Sequence, residues 1–530
     1  MNRPRQIEVK PEELRALIER VKAGRLLPGD ESLIEAMAET ILYLNEAVED
    51  KRASIAKLVR MLFGASTEKA RNILPQPPAK EPDREESKDP TSTSTAKKNG
   101  HGRNGAASYV GAEKIRIEHE SLKIQDLCPD CQKGKLYENI DPGVIIRVVG
   151  QAPLQAKVYE LQKLRCNLCG QVFTSKPPVG VGEHKYDPSA GAMVATLKYG
   201  TGLPFKRLEN LQSALGIPLP ASTQWDIVER VADHIYPTFD ELVRQAAKGE
   251  VFFNDDTTMK ILSVINAKSE DEPQRKGVFT SAILAHHEGH RIALFFTGRK
   301  HAGENIADVL QKRASGLAPP IQMCDALSRN VPKGFRIVLA NCLVHGRRNF
   351  IDAIAGFPEK CQHVIEALAE VYRHDEVCKQ QAMTPQERLI YHQAQSGPVM
   401  KALKEWLQAQ LDQKQVEPNS SMGKAVTYML KHWDPLTLFL RVPSAPLDNN
   451  VCEQALKKAV LHRKNSYFFK TEHGAYIGDL FMTLIHTCNL NGVNPFDYIT
   501  ALQKHKSRLF KKPQNYMPWN YHLAAPPETT

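Results

Sequence analysis

The run "VFFNDDTTMKILSVINA" (residues 251–267) marks a change along the chain from helical periodicity to β-rich sequence. Five further runs of strand or helix character follow it: "GVFTSAILAHH" (277–287), "RIALFFTG" (291–298), "AGENIADVLQKRA" (302–314), "IQMCDA" (321–326) and "FRIVLANCLVH" (335–345). The third of these is helical and the others are strand-like. Three adjacent strands followed by strand–helix alternation predict a mixed α/β sheet.

Carboxylates stand at informative places in these strands. Asp255 and Asp256 lie in the first strand behind Phe252 and Phe253, where an unpaired buried carboxylate would be unfavourable. Asp325 follows the short strand "IQMC" and lies at its C-terminal edge. In open α/β sheets this edge is where functional sites form.

A third acid opens the stretch "PLDNNVCEQALKKAVLHRKNSYFF" (446–469). Asp448 and Asn449 are good N-cap residues, which predicts a helix from about Asn450. Glu453 then precedes a basic and aromatic run on this helix. One interpretation is a solvated helix with a Glu–Lys pair worth only about 0.2–0.5 kcal/mol. The other is that the acid holds a metal while the cations bind a polyanion.

Asp255, Asp325 and Glu453 could converge on one edge of the sheet and offer hard oxygen ligands to Mg²⁺ or Mn²⁺. Two such ions, about 3.5–4 Å apart, can drive phosphodiester cleavage. Each acid also has a structural interpretation. Asp325 could be a helix N-cap, Asp256 could pair with a lysine, and Glu453 could lie on the surface.

Two other motifs are not interpreted as functional sites, and one common nucleotide-binding motif is absent from the sequence. Cys342 and His345 have C-x-x-H spacing, but with no second pair nearby we interpret them as packing residues. "AHHEGHR" (285–291) lacks the HExxH spacing and is predicted to be a polar hairpin turn. No Walker-type glycine loop occurs in the sequence, so ATP use is not predicted.

Two CxxC pairs, Cys128 with Cys131 and Cys166 with Cys169, flank a strand-rich segment from Val144 to Leu164. Each pair can present two thiolates to a tetrahedral ion, which predicts a structural zinc module. The interval is longer than in the usual zinc-ribbon template. Reduced structural thiols or a redox pair are the alternatives.

The N-terminal part carries an a/d heptad seam, formed by Ile34, Met37, Ile41, Leu44, Val48, Ile55, Leu58 and Leu62. This pattern predicts either a dimeric coiled coil or a helical hairpin within one monomer. Residues 75–108 are polar and rich in proline, serine and lysine, and are predicted to be a disordered linker.

Helical sequence lies on both sides of the first β-rich runs. "LPFKRLENLQSALGIPLPASTQWDIVERVADHI" (203–235) predicts a helix, a Gly/Pro turn and a second helix capped at Ser222. This resembles a helix-turn-helix, although helical bundles that never touch DNA share the shape. From Arg347 to Leu440 the chain is entirely helical, which predicts an insertion between two pieces of one α/β domain.

Composition limits the class of protein. A chain of 530 residues should form several domains, and a net charge of +10 gives a mild preference for acidic partners. The first residues lack the apolar core of a signal peptide, and no run of about 18 apolar residues occurs. The ten cysteines do not form a secreted disulfide framework. We therefore expect a soluble, cytoplasmic protein without a membrane partner, which would be nucleoid-associated if it binds DNA.

An ordered series of motifs resembles the transposases of the insertion sequence sixty-six family. The series is "LVRMLFGASTEKARN" (58–72), the double-CxxC module, "GAMVATLKYGTGLPFKRLENLQSALGI" (191–217), "FNDDTT" (253–258), "QMCDAL" (322–327), "CLVHGRRNF" (342–350), the Glu453 stretch, "TEHGAYIGDLFMTLIHTCNLNGVNPFDYI" (471–499) and "YMPWNYH" (516–522). This resemblance implies a DDE transposase with a ribonuclease-H-like catalytic core.

The resemblance also implies residue roles. Asp255, Asp325 and Glu453 match the catalytic acids that hold magnesium. The cations expected to neutralise DNA phosphates are Lys457, Arg463 and Lys464. Arg347 and Arg348 are expected to act likewise, the alternative being that they cap acidic faces of the helical insertion. This chain departs from the family beside each acid, with Asp256 for glutamate, Ala326-Leu327 for Gly-Tyr and Gln454 for arginine, and His462 replaces the glycine of Gly-Arg-Lys-Asn. These departures leave the three acids intact.

The expected fold is a multidomain α+β protein whose ribonuclease-H-like mixed α/β core is interrupted by a helical insertion. The predicted parts are an N-terminal helical region (1–74), a linker (75–108), a zinc-binding module (109–185), a helix-turn-helix-like DNA-binding region (186–249), the first part of the core (250–346), the insertion (347–445), the second part of the core (446–490) and a C-terminal tail (491–530).

The expected function is a DNA transposase that binds terminal inverted repeats and performs Mg²⁺- or Mn²⁺-dependent cleavage and strand transfer. Its expected partners are double-stranded DNA, further copies of itself and small accessory proteins of the same element. The alternatives are an inactive or domesticated DNA-binding derivative, and a metal-dependent nuclease that does not join strands.

Overall fold

A computed structural model of the chain describes residues 11–22, 24, 25, 27–35, 37, 114–137, 145, 150–165, 172–179, 181, 184–266 and 277–524. The chain divides into two compact units, one of Met1–Gln76 with Leu154–Thr530 and one of Pro77–Pro153. Most of the heptad seam, the linker and the pair Cys166 and Cys169 lie outside the described residues. The predictions made for them stay predictions.

The N-terminal elements of the first unit are small. Helix α1 spans Pro11–Lys22, and residues 30–35 are also helical. Arg20 forms two hydrogen bonds of 2.9 Å with the Asp30 carboxylate, which connects α1 to the second helical stretch. Further along, β1 (Lys163–Arg165) and β2 (Val172–Thr174) form an antiparallel pair.

Helical structure precedes the large sheet, as Pro188–Ala195 (α2), a π-helical turn at Thr196–Gly200, Phe205–Ala214 (α3) and Ala221–Ala246 (α4). The helix, turn and helix predicted here are present, and the turn passes through Gly216 at a φ of +75° that favours glycine. However, α4 begins slightly earlier than a Ser222 cap would give. Pro220, in extended backbone, occupies the N-cap position instead.

The mixed sheet predicted from the sequence is present. Its strands are Val251–Met259 (β3), Val278–His287 (β4), His290–Gly298 (β5), Ile321–Cys324 (β6) and Val338–Asn341 (β7), in the order β5-β4-β3-β6-β7. Strand β4 is antiparallel to β3 and β5, whereas β3, β6 and β7 are parallel. The polar turn predicted at "AHHEGHR" is confirmed. Glu288 and Gly289 both have positive φ, as a two-residue hairpin turn of type I′ requires.

The remaining described elements are helical. They are Leu262–Ile265 (α5), Ala302–Leu310 (α6), Leu343–Ala353 (α7), Pro358–Gln380 (α8), Pro385–Asp412 (α9), Ser421–Lys431 (α10), Trp433–Leu436 (α11), Asn450–Ser466 (α12), Glu472–Leu490 (α13), Pro495–Lys504 (α14), Lys506–Lys511 (α15) and Tyr521–Ala524 (α16). Short 3-10 turns occur at Ser328–Asn330, Leu438–Leu440 and Pro513–Tyr516. Helices α7 to α11 lie between β7 and α12, where the helical stretch was predicted. Within the described part of the chain, no helix combines the length and apolarity needed to cross a membrane.

Helices cover both faces of the sheet. On one face, α4 and α6 pack on β4, and Asn305 of α6 donates a 2.8 Å hydrogen bond to Ser281. On the opposite face, α12 packs on β3 and β4, and the Cys452 thiol donates to the Ala282 carbonyl at 3.4 Å. The fold is therefore a mixed α/β arrangement compatible with the α+β class.

Helix α13 covers the outer edge of β5, the edge that pairs with no other described strand of the sheet. Backbone N–H groups of Ala293, Phe295 and Thr297 donate to side chains of α13 at 3.1, 3.0 and 2.6 Å. The acceptors are Thr487, Thr483 and Asp479, which follow one another at four-residue intervals. Four helical residues rise about 6.0 Å and two strand residues about 6.7 Å, so the two repeats nearly match. The helix thus satisfies an edge that would otherwise invite pairing with another chain.

Candidate functional site

The register of the parallel strands places acidic and thiol side chains at the carboxyl edge of the sheet. Phe253 pairs with Met323 between β3 and β6, and Cys324 pairs with Asn341 between β6 and β7. Continuing these registers places Asp255, Asp325 and Cys342 at the same level. Because side chains alternate along a strand, Asp255 and Asp325 project to the same face. Two of the predicted acids are therefore neighbours.

The environment of Asp255 disfavours a bare carboxylate. Its Oδ1 accepts a 2.8 Å hydrogen bond from the backbone of Asp256. Burial nevertheless raises the pKa of Asp255 to about 7, and the carboxylates of Asp325, Asp256 and Glu453 act in the same direction. An acid in such surroundings gains stability from a bound cation.

Asp256 belongs to the opposite face. Its Oδ2 lies 2.8 Å from His301 Nδ1, and its Oδ1 lies 3.6 Å from Arg329 Nη2. Its side chain is only 2% exposed. A lysine was one predicted partner for Asp256, but on this face it is engaged by a histidine and an arginine.

Asp325 lies just beyond β6 and is fixed by local hydrogen bonds. Its Oδ1 accepts from the backbone N–H of Leu327 at 3.2 Å and from the Asn330 side chain at 2.5 Å. Asn341, at the end of β7, donates to the Asp325 carbonyl at 3.4 Å. These contacts orient the carboxylate at the edge of the sheet.

Glu453 reaches the same region from the first turn of α12. The helix begins at Asn450 as predicted, and Asp448 Oδ1 accepts from the Asn450 N–H at 3.1 Å. The Asn449 side chain donates to the carbonyl of Asn254 at 3.1 Å, which ties the start of α12 to β3. Cys452 adds its bond to Ala282, the β4 residue opposite Asp255. The acceptor-rich "DNN" therefore anchors the helix that carries the third acid.

One oxygen of Glu453 is unsatisfied. Oε1 is shielded from solvent and has no hydrogen-bond partner among the described residues. His345 Nε2, which can carry a positive charge when the ring is protonated, lies 3.9 Å from it. Buried polar atoms are normally paired, so such an atom is a natural place for an ion. The three carboxylates offer the oxygen ligands that hard cations prefer.

The basic residues of α12 have different environments. Lys457 and Lys464 are exposed. Arg463 uses Nη1 to bind Thr257 and Thr258 at the end of β3. His462 is buried and stacked on Phe469, and burial lowers its pKa to about 3, so it is not a cation at neutral pH. The predicted Arg347 and Arg348 are half-buried on α7, immediately after the C-x-x-H motif.

The second unit carries the first cysteine pair on a tight turn. Cys128 N–H donates to the Gly134 carbonyl at 2.8 Å, and Gln132 adopts a φ of +52°. Hydrogen bonds from the backbone N–H groups of Lys133 and Gly134 hold the pKa of Cys131 below its usual value. A hydrogen bond with the Cys128 side chain acts in the same direction. Amides directed at a sulfur favour the thiolate that zinc requires.

One cluster was missed by the sequence analysis. Ligand atoms of Cys342, His345 and Glu453 all lie within 4.8 Å of one another. The C-x-x-H spacing was the available signal, but its third partner comes from a helix more than a hundred residues later in the chain. Only the fold brings these residues together.

A prediction follows from the raised pKa of Asp255. Because its folded pKa exceeds the unfolded value, the metal-free protein loses stability from this group as the pH rises from about 4 to about 7. A cation needs the ionised form. Adding Mg²⁺ is therefore expected to raise the Tm by about 2–4 °C at about pH 8 and by much less at about pH 5.5.

The matched variant for this measurement is Asp255→Asn, which removes the titrating group and should abolish the pH-dependent part of the Mg²⁺ effect. Differential scanning fluorimetry of both proteins gives the comparison. An equal Mg²⁺ shift in both proteins at both pH values would place the stabilising ion elsewhere.

Comparison with known proteins gives one family match and several relatives. A model of the transposase IS66 family matches residues 184–477, more than half of the chain. In Sinorhizobium fredii (strain NBRC 101917 / NGR234), uncharacterized protein y4jD is 24% identical over 535 residues, covering 92% of this chain and 97% of that protein. Uncharacterized protein y4hP of the same organism is 24% identical over 441 residues, covering 78% and 76%. The family match contains all three predicted acids.

Proposed function

Because the chain belongs to the transposase IS66 family, we propose that it is an active DNA transposase. It would bind the terminal inverted repeats of an insertion sequence, cleave phosphodiesters at their ends and join those ends to target DNA. In this proposal β3 to β7 with α12 form a ribonuclease-H-like core, and Asp255, Asp325 and Glu453 are its catalytic acids.

One observation carries the proposal. Asp255 and Asp325 lie level at the carboxyl edge of two adjacent parallel strands, and α12, the helix that carries Glu453, is hydrogen-bonded to β3 and β4. Three acids from two strands and a helix are the ligand set that a divalent-cation site for phosphoryl transfer needs. A solvated Glu–Lys pair would not require a helix anchored to β3 in this way.

Mg²⁺ or Mn²⁺ would be held by these three carboxylates. The raised pKa of Asp255 and the unpaired Oε1 of Glu453 both support this assignment. When bound, such ions activate a water or hydroxyl nucleophile and stabilise the leaving oxygen of an in-line displacement.

The protein's own contribution is preorganisation. Asn330 fixes one oxygen of Asp325, and Asn449 with Cys452 fixes the start of α12 against β3 and β4. A site held by such contacts needs little rearrangement when the substrate binds. Asp256, bound to His301 on the other face, stabilises the strand without entering the site.

Cations beside the acids would hold the DNA backbone. Lys457 and Lys464 are exposed on α12, the same helix as Glu453, and we assign them the first phosphate contacts. Arg463, Arg347 and Arg348 complete the proposed basic surface, although Nη1 of Arg463 is already bound to β3. Neutralising phosphates releases counterions, so DNA binding should weaken with salt.

The other parts would serve DNA recognition and assembly. A zinc module with Cys128, Cys131, Cys166 and Cys169, together with α3 and α4, would recognise the ends of the element. A coiled coil in the N-terminal part would pair two copies of the chain, and small accessory proteins of the same element would complete the assembly. The turn at Cys131, whose backbone amides favour a thiolate, supports the zinc assignment.

The test is an assay of the purified full-length protein with Mg²⁺ and DNA carrying the element's ends. An active transposase should cleave intact ends and join pre-cleaved ends to target DNA. Cleavage without joining would select a nuclease. Specific binding without cleavage or joining would select an inactive, transposase-derived DNA-binding protein.

The two exposed lysines of α12 give a quantitative prediction. In the double variant Lys457→Ala/Lys464→Ala, the slope of log K against log salt should fall by about 1 per lost phosphate contact. The matched control is Lys401→Ala/Lys414→Ala, which removes two exposed lysines from α9 and the loop that follows it. Equal slopes for both double variants, measured by fluorescence anisotropy, would remove Lys457 and Lys464 from the interface.

A further inference from the structure

The cluster of Cys342, His345 and Glu453 contains donor types that the proposed magnesium chemistry does not use. Mg²⁺ prefers oxygen ligands, whereas thiolate and imidazole are characteristic ligands of zinc and similar ions. The sulfur, nitrogen and oxygen atoms concerned lie within 4.8 Å of one another. One of the three residues, Glu453, also belongs to the proposed catalytic acids.

The fold builds this cluster where two helices begin. Cys342 follows β7 and precedes α7, and its backbone N–H donates to Cys324 at 3.0 Å. The chain entering α12 returns to the same place, because Leu343 N–H donates to the Leu447 carbonyl at 3.0 Å. The Asn449 N–H then points at the Cys342 sulfur at 3.3 Å. His345 and Glu453 occupy the first turns of α7 and α12.

The spacing of the three atoms suits a tetrahedral ion after a small adjustment. Zinc bonds of about 2.0–2.3 Å place neighbouring ligands about 3.3–3.8 Å apart. Small side-chain rotations of the half-buried His345 and Glu453 would close the present separation. Cys342 is fully buried and fixed by the backbone on both sides. A fourth position would remain open to water or to a phosphate oxygen.

Unsatisfied atoms at the same place also indicate a ligand. Glu453 Oε1 and His345 Nδ1 are both shielded from solvent without a hydrogen-bond partner in the part of the chain that the structure describes. Both atoms belong to members of the cluster, and buried polar atoms are normally paired. A metal ion would satisfy the carboxylate and fix the orientation of the imidazole.

We propose that Cys342, His345 and Glu453 form a binding site for Zn²⁺ or a similar borderline ion, distinct from the magnesium site at Asp255 and Asp325. Glu453 is shared by the two sites. Zinc binding would draw this carboxylate toward α7 and leave the magnesium site without its third ligand. Zinc would thus inhibit DNA cleavage. The inhibition rests on the proposed function, whereas the binding itself does not.

The binding is tested without any measurement of activity. Metal-free full-length protein is titrated with Co²⁺, whose thiolate complexes give a charge-transfer band in the near ultraviolet. Because the cysteine pairs near the N-terminus would also bind Co²⁺, the signal is assigned by difference between variants. Wild-type protein should bind one more equivalent with high affinity than Cys342→Ser.

The matched control is Cys361→Ser. Cys361 is as fully buried as Cys342, but its sulfur lies 3.8 Å from Met422 and away from the acids. This variant should keep the wild-type stoichiometry. If Cys342→Ser fails to fold, the half-buried His345→Gln replaces it and should weaken the additional site by at least about tenfold. Wild-type Co²⁺ affinity and spectrum in folded Cys342→Ser or His345→Gln would overturn the proposal.

A second measurement addresses the inhibition. Mg²⁺-dependent DNA cleavage is followed at increasing Zn²⁺, with each protein normalised to its own zinc-free rate. The half-inhibitory zinc concentration should rise at least about tenfold in His345→Gln relative to wild type. Unchanged inhibition would reject the shared role of Glu453. A protein that binds Co²⁺ through Cys342 but never cleaves DNA would contradict the proposed function and leave the binding site standing.

Discussion

Asp255→Asn is expected to lower Mg²⁺-dependent DNA cleavage by at least about 10³-fold, because loss of a carboxylate ligand removes several kcal/mol of transition-state stabilisation. Asp325→Asn should have a similar effect, since the two side chains lie level on adjacent strands. DNA binding should change little in either variant, because both carboxylates are negative and contribute nothing to phosphate attraction. Cleavage is measured on DNA carrying the element's ends, and binding by fluorescence anisotropy.

Asp256→Asn is the matched control for this prediction. It changes the neighbouring residue in the same way, but Asp256 faces His301 and Arg329 on the opposite side of the sheet. Its cleavage rate should stay within about tenfold of wild type, although loss of the buried pair with His301 should lower the Tm. If Asp256→Asn abolished cleavage while Asp255→Asn did not, the assignment of the two faces would be reversed.

The largest effect on stability is expected in the helical segment between β7 and α12. Asp375 is 4% exposed and accepts hydrogen bonds from Arg388 at 2.8 and 2.9 Å and from His392 at 3.3 Å. Burial opposes its ionisation, but bonds from His392, Lys379 and Arg388 hold its pKa well below the usual range. Asp375→Ala should lower the free energy of unfolding of this segment by about 3–5 kcal/mol, since it leaves buried partners unpaired.

The ion cluster around Asp375 also contacts the segment that leads into α12. Arg388 donates to the Ala445 carbonyl at 2.8 Å, just before the residues that anchor α12. Hydrogen exchange of α8 and α9 measures the change. Glu376→Ala, an exposed neighbour on the same helix, is the control and should alter stability by less than about 0.5 kcal/mol.

Two outcomes would contradict the prediction for Asp375. The first is an equal effect in both variants. The second is an unchanged pH dependence in Asp375→Ala, because the depressed pKa means that the stabilisation is present above about pH 4 and is lost on further acidification.

The strand runs, the hairpin turn and the start of α12 could be predicted from the sequence because each depends on local signals. The β-rich runs at 277–287 and 291–298 predicted β4 and β5, and the Glu288-Gly289 pair suits positive φ. The N-cap residues before Asn450 gave the helix that carries Glu453. Local chemistry was sufficient for these elements.

Other features depend on register and packing, which the sequence did not reveal. The sequence does not say which face of β3 Asp255 and Asp256 occupy, and the choice of Asp255 came from the family resemblance alone. Likewise, His462 stands in a basic run but is buried, with its ring stacked near those of Phe469 and the distant Tyr199. Interleaving of α13 side chains with the β5 edge also depends on a contact between distant segments.

The cluster of Cys342, His345 and Glu453 illustrates the same limit. The sequence displayed C-x-x-H without a partner, and packing was the reasonable interpretation. Its third member, Glu453, lies beside the motif because Leu447 and Asn449 are hydrogen-bonded to the start of α7. The family resemblance predicted the three acids but gave no reason to expect a thiol and an imidazole beside one of them.

Anomalous diffraction from crystals soaked in Mn²⁺ tests the proposed catalytic site most directly. Manganese is expected at the carboxyl edge of the sheet, bounded by the side chains of Asp255, Asp325 and Glu453. The signal should disappear in Asp255→Asn and persist in Asp256→Asn. Manganese that avoids this edge in well-ordered crystals at neutral pH, or that binds only beside Asp256, would contradict the proposal that the three acids form one metal site.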